Sequence, residues 1–394
     1  MLRSLFARAF AALLVLALGG PAGADAVPPD AAVATLEFGQ APEPNRIPLD
    51  LAPEGAGPLP VWLSTGASFS VFTPLAARAI GVSVRRAKHD PYRRATRLGR
   101  DLQFFVDTRS SDTGTRMGWE YGMLGGNFLQ DYVVEIDFAM RTVRFIDPGR
   151  YEVPEAAKES GEAVVPIALP MNRPVVEIEL DGRPLRVLID TAAPVGLVLS
   201  GAAARAIGID DRALPDAGTF IATPGPMQVR FTEIGSLSLG GLAVGPVPTF
   251  VSPHGWYNIA GETDSVVGYD VLSRFLIRID YPRKRMWLRR ESREVPFLGA
   301  DYASMRAAGA LVREDAVGEI AVLAVHAGGV AERRGVRRGD QLLRDGPGGR
   351  RLSIPETLDA LAGDAPVRVV RDESGVPVEQ VLGPLAGEAA APAP

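Results

Sequence analysis

The chain repeats itself, and that constrains its fold more than any local signal can. Residues 63–66, LSTG, stand against residues 189–192, IDTA, at a spacing of 126. After a one-residue slip ARAIGV at 77–82 answers ARAIGI at 204–209, and LGGNFLQDYVVEIDFAMRTVRF at 124–145 answers VGYDVLSRFLIRIDYPRKRMWL at 267–288 at a spacing of 143. The last match sets Gly125 beside Gly268, Leu129 beside Leu272 and Asp137 beside Asp280. Three matches in one order imply two halves with one plan: a strand ending in a polar tripeptide, a short Ala-rich helix, a hairpin region, a glycine-containing strand and a final β-ribbon. Thr73-Pro74 and Ser200 are N-cap signals for the Ala-rich helices, and Gly81 and Gly208 stop them.

Between these landmarks Pro and Gly recur every few residues around short Val, Ile, Leu and Phe runs, which reads as mainly β structure. At 394 residues and 46% hydrophobic content the chain is long enough for two or three domains with a sizeable core. The halves are expected over 34–148 and 163–290, with a charged linker from Pro148 to Glu162. Arg283, Lys284, Arg285, Arg289 and Arg290 form one dense basic patch, expected on a solvated strand edge.

The N-terminus carries Arg3 and Arg8, an apolar run from Ala9 to Leu18, then Gly19-Gly20-Pro21 and small residues to Ala24. That is the layout of a signal peptide over 1–24, implying a periplasmic or secreted protein; an uncleaved anchor helix is the alternative. With no cysteine, a disulfide framework, a thiolate metal site and lipid attachment are excluded. The net charge of −5 disfavours nucleic acid as a partner. His89, His254 and His326 sit in no motif with a serine, and acidic clusters with ligand spacing are absent, so neither a serine hydrolase, a metal site nor a cofactor is expected.

Beyond Val295 the pattern changes. EIAVLAVHAGGVAERRGVRRGDQLL at 319–343 reads as strand, turn, short helix and strand, Ser353-Ile354-Pro355-Glu356 is a capping box opening a helix to Ala362, and a hairpin turns at Glu373-Ser374-Gly375. Through Ala331, Gly335-Val336 and Gly339-Asp340-Gln341-Leu342-Leu343, residues 297–385 resemble a small α+β PDZ domain of the bacterial type. The resemblance implies a partner that is a protein C-terminus or extended peptide, added as a strand beside a helix, with the carboxylate-facing loop at Gly309, Ala310 and Leu311. A packing module with an occluded groove is the alternative. His326 is expected to be structural, and residues 386–394 are a low-complexity, disordered tail.

RVLIDTAAPVGLVLS at 186–200 delivers Asp190-Thr191-Ala192 from an apolar strand into a turn, and VVG at 266–268 follows downstream. Together with Ser64-Thr65-Gly66-Ala67-Ser68 and the glycine strands MLGGNFL and VVGYDVL, these residues resemble the retropepsin-like aspartic peptidases in their two-lobed bacterial form, over nearly all of 34–290. The resemblance implies two β-barrel lobes that each give one acid to a shared site, Gly125 and Gly268 packed beside the catalytic loops, and Thr65 and Thr191 hydrogen-bonded across the lobe interface. It implies a polypeptide substrate or ligand. The run at 224–226, PGP, suits the tip of a flap.

Two carboxylates about 3 Å apart share a proton, so one serves as base for water while the other donates to the scissile carbonyl. Ser64 departs from that pattern, because a hydroxyl can donate but is too weak an acid to shuttle the proton. Asp190 then lacks a like charge and is expected nearer the ordinary carboxylate value of about 3.9, with burial its only upward influence. Ala192 in place of glycine is a lesser departure. Three readings stay open: a degenerate peptidase that binds peptides through cleft and PDZ domain, an active aspartic-type endopeptidase that recovers two acids as a homodimer through Asp190, and weak catalysis with Ser64 as partner.

Overall fold

The computed structural model describes residues 27–38, 46–51, 57, 59–82, 92–95, 101–106, 122–156, 161–222, 225–252, 265–291, 302–314, 319–326, 328–373 and 376–383. The segment expected as a signal peptide, His89 and His254, the hairpin tip at 374–375 and the tail at 386–394 lie outside them.

The first half contains β1 (Ala32–Glu37), β2 (Pro48–Asp50), β3 (Pro60–Leu63), β4 (Ser70–Phe72), α1 (Pro74–Ala79), β5 (Tyr92–Ala95), β6 (Asp101–Val106), β7 (Gly122–Leu124), α2 (Gly126–Leu129), β8 (Val133–Asp137) and β9 (Thr142–Ile146). The second half contains β10 (Glu162–Pro166), β11 (Val175–Leu180), β12 (Arg183–Ile189), β13 (Leu197–Ser200), α3 (Gly201–Ala206), β14 (Asp216–Ala222), β15 (Gly225–Leu239), β16 (Leu242–Ser252), β17 (Val266–Val267), α4 (Tyr269–Leu272), β18 (Phe275–Asp280) and β19 (Arg285–Arg290). The rest holds α5 (Tyr302–Ala308), β20 (Ala310–Glu314), β21 (Ile320–Val325), α6 (Val330–Arg333), β22 (Gln341–Leu342), α7 (Ile354–Ala362), β23 (Val367–Glu373) and β24 (Val376–Leu382).

The molecule is mainly β. One sheet runs β2-β3-β7-β4-β6-β5; another runs β11-β12-β17-β13-β16-β15-β14, and pairing of β11 with β15 closes six of its strands into a barrel. Within both, the order is the same: β3 and β12 pair parallel with the glycine strands β7 and β17, which pair antiparallel with β4 and β13, which pair parallel with β6 and β16. Apolar runs make this possible, since strands buried on both faces read as continuous hydrophobic stretches. Leu63, Phe72, Leu124, Leu188, Ile189, Leu197 and Val267 are all fully buried, each stabilising by about 1.5–3 kcal/mol if its side chain is apolar and large. The Ala-rich helices start where the caps predict: Thr73 Oγ1 accepts from Ala76 N at 3.3 Å and Ser200 Oγ from Ala203 N at 2.9 Å, each such cap contributing about 1 kcal/mol.

A third sheet, β1-β9-β8-β18-β19-β10, is antiparallel throughout and draws strands from both halves. Its two hairpin turns are built alike. Asp137 Oδ1 accepts from Met140 N at 2.8 Å and Asp280 Oδ1 from Arg283 N at 3.1 Å, and Arg141 and Lys284 both take positive φ, 57° and 55°. The strand part of the basic patch is not on a sheet edge: β10 pairs along β19, so Arg285, Arg289 and Arg290 lie on an interior strand, with Arg283 and Lys284 in the turn before it. Arg283 instead pairs with Asp280 at 3.1 Å and Arg285 with Glu152. The stretch after Pro148 is likewise not a free linker, because Tyr151 and Val153 are buried with Trp287 and Leu276.

Residues 302–383 form a separate five-stranded antiparallel sheet, β20-β21-β22-β23-β24, covered by helices. The capping box opens α7: Ser353 Oγ accepts from Glu356 N at 3.3 Å and Glu356 Oε2 from Ser353 N at 2.7 Å. These bonds, with Arg350 beside them, hold the Glu356 carboxyl down at about 2. Arg334 donates to the carbonyls of Ala360, Leu361 and Gly363 at the other end of α7, satisfying groups that a helix C-terminus leaves open. His326, at the end of β21, stacks on Phe231 of β15 at 5.5 Å between ring centres. Among the described residues no helix is long and apolar enough to cross a membrane.

Candidate active site

Two strands deliver the site. β3 ends at Leu63 and β12 at Ile189, and each is held by its glycine strand, with Ser64 N donating to Leu124 O at 3.0 Å and Asp190 N to Val267 O at 3.0 Å. The turns that follow, Ser64-Thr65-Gly66 and Asp190-Thr191-Ala192, face one another.

The threonines lock them. Thr65 Oγ1 donates to Ile189 O at 2.7 Å and accepts from Thr191 N at 3.1 Å; Thr191 Oγ1 donates to Leu63 O at 2.7 Å and accepts from Thr65 N at 3.2 Å. Every bond crosses between the halves, both threonines are buried, and each hydroxyl uses donor and acceptor capacity at once. This four-bond ring fixes the distance between the two turns.

Above the ring, Ser64 Oγ donates to Asp190 Oδ1 at 3.3 Å. The same oxygen accepts from Ala192 N at 2.9 Å and Gly66 N at 3.3 Å. A glycine is required at 66: a Cβ there would stand 2.3 Å from Asp190 Cγ and 2.5 Å from Oδ2. Gly125 and Gly268 serve the same close approach one layer back. A Cβ on Gly125 would meet Phe69 O at 2.5 Å, and one on Gly268 would meet Val195 O at 2.3 Å.

Asp190 is 8% exposed, and burial pushes its carboxyl above the usual carboxylate value, against the backbone donors at Ala192 and Gly66, the Ser64 hydroxyl and the nearby Arg46 charge. The sequence argument expected a carboxyl nearer its ordinary value for want of a like-charged neighbour. Burial alone outweighs the donors, because an ionised carboxylate is poorly solvated away from water. Tyr281, buried below, has its phenol raised by burial and secondarily by the charge of Asp190.

Arg46 was missed in the sequence. It is 7% exposed, donates from Nη1 to Ala192 O at 2.5 Å and lies over the Trp62 ring at 4.7 Å, so it braces the Asp190 turn from the other half. The repeat could have found it: Asn45-Arg46 answers Asn172-Arg173, and Arg173 is also 7% exposed. The backbone agrees, with Leu63 N donating to Ile47 O and Ile189 N to Pro174 O, each at 2.9 Å.

Eight of the residues singled out in the sequence, Ser64, Thr65, Gly66, Asp190, Thr191, Ala192 and, one layer behind, the pair Gly125 and Gly268, are thus brought to one place. Gly309, Ala310 and Leu311 lie elsewhere, at the turn from α5 into β20; Gly309 takes a φ of 69°, and Ala310 and Leu311 are buried. The PGP run expected at a flap tip falls at the β14–β15 hairpin, where Ala222 pairs with Gly225 and residues 223–224 lie outside the described ones. Pro194 follows the Asp190 turn without disturbing it. Among the described residues no group of three or more His, Asp or Glu could hold a metal ion.

Comparison with known proteins bears on the second half. No curated protein matches the chain. Two solved structures are similar in part: a retropepsin-like aspartic protease from Rickettsia conorii, 19% identical with a TM-score of 0.27 over 32% of this chain and 89% of that one, and Basic 7S globulin from soybean, 11% identical with a TM-score of 0.35 over 68% and 95%. Residues 176–271, which include Asp190 and Gly268, match the family model described as aspartyl protease. The segment that carries the site's one acid is therefore aspartic-protease-like.

Proposed function

We propose that this is a two-lobed member of the aspartic peptidase family, exported by its N-terminal segment, that binds extended polypeptide in the cleft above Ser64 and Asp190 and has lost efficient turnover. The observation that carries the proposal is the 3.3 Å contact of Ser64 Oγ with Asp190 Oδ1. A hydroxyl fills the place where a second carboxyl is needed, so the site can donate hydrogen bonds to a peptide carbonyl but cannot alternate acid and base. Losing one such partner lowers the rate by roughly a hundred- to ten-thousandfold.

In the same proposal residues 302–383 are a PDZ-like module that takes an extended peptide or a C-terminus beside α7, near Gly309, Ala310 and Leu311. Buried Ala310 and Leu311, and the bond from Ser304 Oγ of α5 to Asp359 Oδ1 of α7 at 3.0 Å, favour a groove that is closed until α5 shifts.

One observation favours residual hydrolysis as a second reading. Asp190 has a raised carboxyl, so near neutral pH it is easier to protonate than an exposed acid, and a single acid with Ser64 and water could turn over slowly. The mature protein is tested against unfolded peptides from pH 4 to 7 for cleavage by mass spectrometry and for binding by fluorescence anisotropy. Binding without cleavage is expected. Cleavage that disappears in Asp190→Asn would replace the binding reading with the peptidase one.

A further inference from the structure

The central sheet contains a point where the repeat meets itself. At the spacing of 143, Glu135 of β8 corresponds to Arg278 of β18, and these two residues are also direct cross-strand partners, flanked by Ile136 opposite Ile277 and Val134 opposite Ile279. Since 136 corresponds to 279 and 134 to 277, the pairing is symmetric about Glu135 and Arg278. In a two-fold assembly the residue on the axis faces its own copy.

Here the axis holds opposite charges. Arg278 Nε donates to Glu135 Oε2 at 2.6 Å, and their side chains are 3% and 1% exposed. The row continues on both sides, with Arg144 Nε on Glu135 Oε1 at 2.5 Å and the Arg278 guanidinium over the Trp287 ring at 4.3 Å. Two second halves joined through the same strands would bury Arg278 against Arg278, each backed by Trp287 and no carboxylate of this row. Two first halves would bury Glu135 against Glu135, each keeping Arg144 but losing Arg278. Breaking a buried pair so that like charges are left in place is strongly unfavourable.

We infer that Glu135 and Arg278 specify which half pairs with which, so that β8 and β18 fit each other within one chain and refuse a second copy. The inference stands on the sheet's symmetry and not on the loss of turnover. It closes the homodimer route to an Asp190–Asp190 pair, leaving the Ser64 hydroxyl as the side-chain partner that the opposite turn gives Asp190.

The test compares refolding of the full mature chain with that of Glu135→Leu/Arg278→Leu at high protein concentration, reading mass by light scattering. A buried ion pair replaced by packed apolar residues usually keeps its fold, so the variant is expected to fold yet give a second species of twice the monomer mass, while the unaltered chain gives monomer alone. Monomer alone from both proteins, or the doubled species from both, overturns the inference. Should the leucine variant not fold, Glu135→Gln/Arg278→Gln, which keeps a hydrogen-bonding pair without charge, is read by the same criterion.

Discussion

The two turns at the site share a frame and differ in what they hold. Thr65 and Thr191 make matching bonds, whereas Ser64 stands where the other turn has Asp190, and Ala192 where the other has Gly66. The difference reads as one change rather than two. The two-fold relation that sets Gly66 against Asp190, where a Cβ would come within 2.3 Å, sets Ala192 against Ser64. A turn facing a serine has room for a methyl group that a turn facing an aspartate lacks.

The widest separation of the two turns should come from restoring the acid. Ser64→Asp with Ala192→Gly is expected to raise peptide cleavage by roughly a hundred- to ten-thousandfold, while Ser64→Asp alone gains far less because Ala192 crowds it. Equal gains from both variants, in steady-state cleavage assays, would break the paired reading. Next in size is Gly66→Ala, which should destabilise by about 1–3 kcal/mol through overpacking against Asp190; Ala192→Gly should shift the urea midpoint by less.

Thr65→Val and Thr191→Val are expected to lower stability by about 1–3 kcal/mol each, and by similar amounts, since each strands one N–H and one carbonyl of the opposite turn. Unequal losses in denaturant titrations would mean that the ring is not symmetric in energy. The smallest effect concerns charge. A carboxyl raised on folding binds its proton more tightly in the folded state, so its contribution is present below the unfolded value of about 3.9 and declines as pH rises through the higher folded value. Asp190→Asn should therefore raise Tm at pH 7, by on the order of 2 °C, and the gain should shrink as pH falls toward 4.

Much of this was legible because a repeat reports on geometry. The spacing of 126 paired Ser64 with Asp190 before any contact was known, and the cap residues Thr73, Ser200 and Ser353 marked helix starts correctly. What was not legible depended on partners distant in sequence. The basic run at 283–290 looked solvated because nothing local reveals that β10 lies along β19. Asp190 was placed near its ordinary protonation range because burial depth is a property of the assembled halves. Arg46 lay in the repeat all along, but its reach to Ala192 needs the coordinates of both halves.

The central sheet also sets an order of events. β8 cannot gain its second neighbour until residues 275–280 have been made, and Thr65 has no partner until Ile189 and Thr191 arrive. The first half therefore emerges with a bare strand edge and an empty turn, waiting on more than a hundred further residues. Such long-range pairing is slow and leaves strand edges exposed meanwhile, so this architecture should lean on a chaperone or on rapid completion of the chain more than a fold closed by neighbouring strands would.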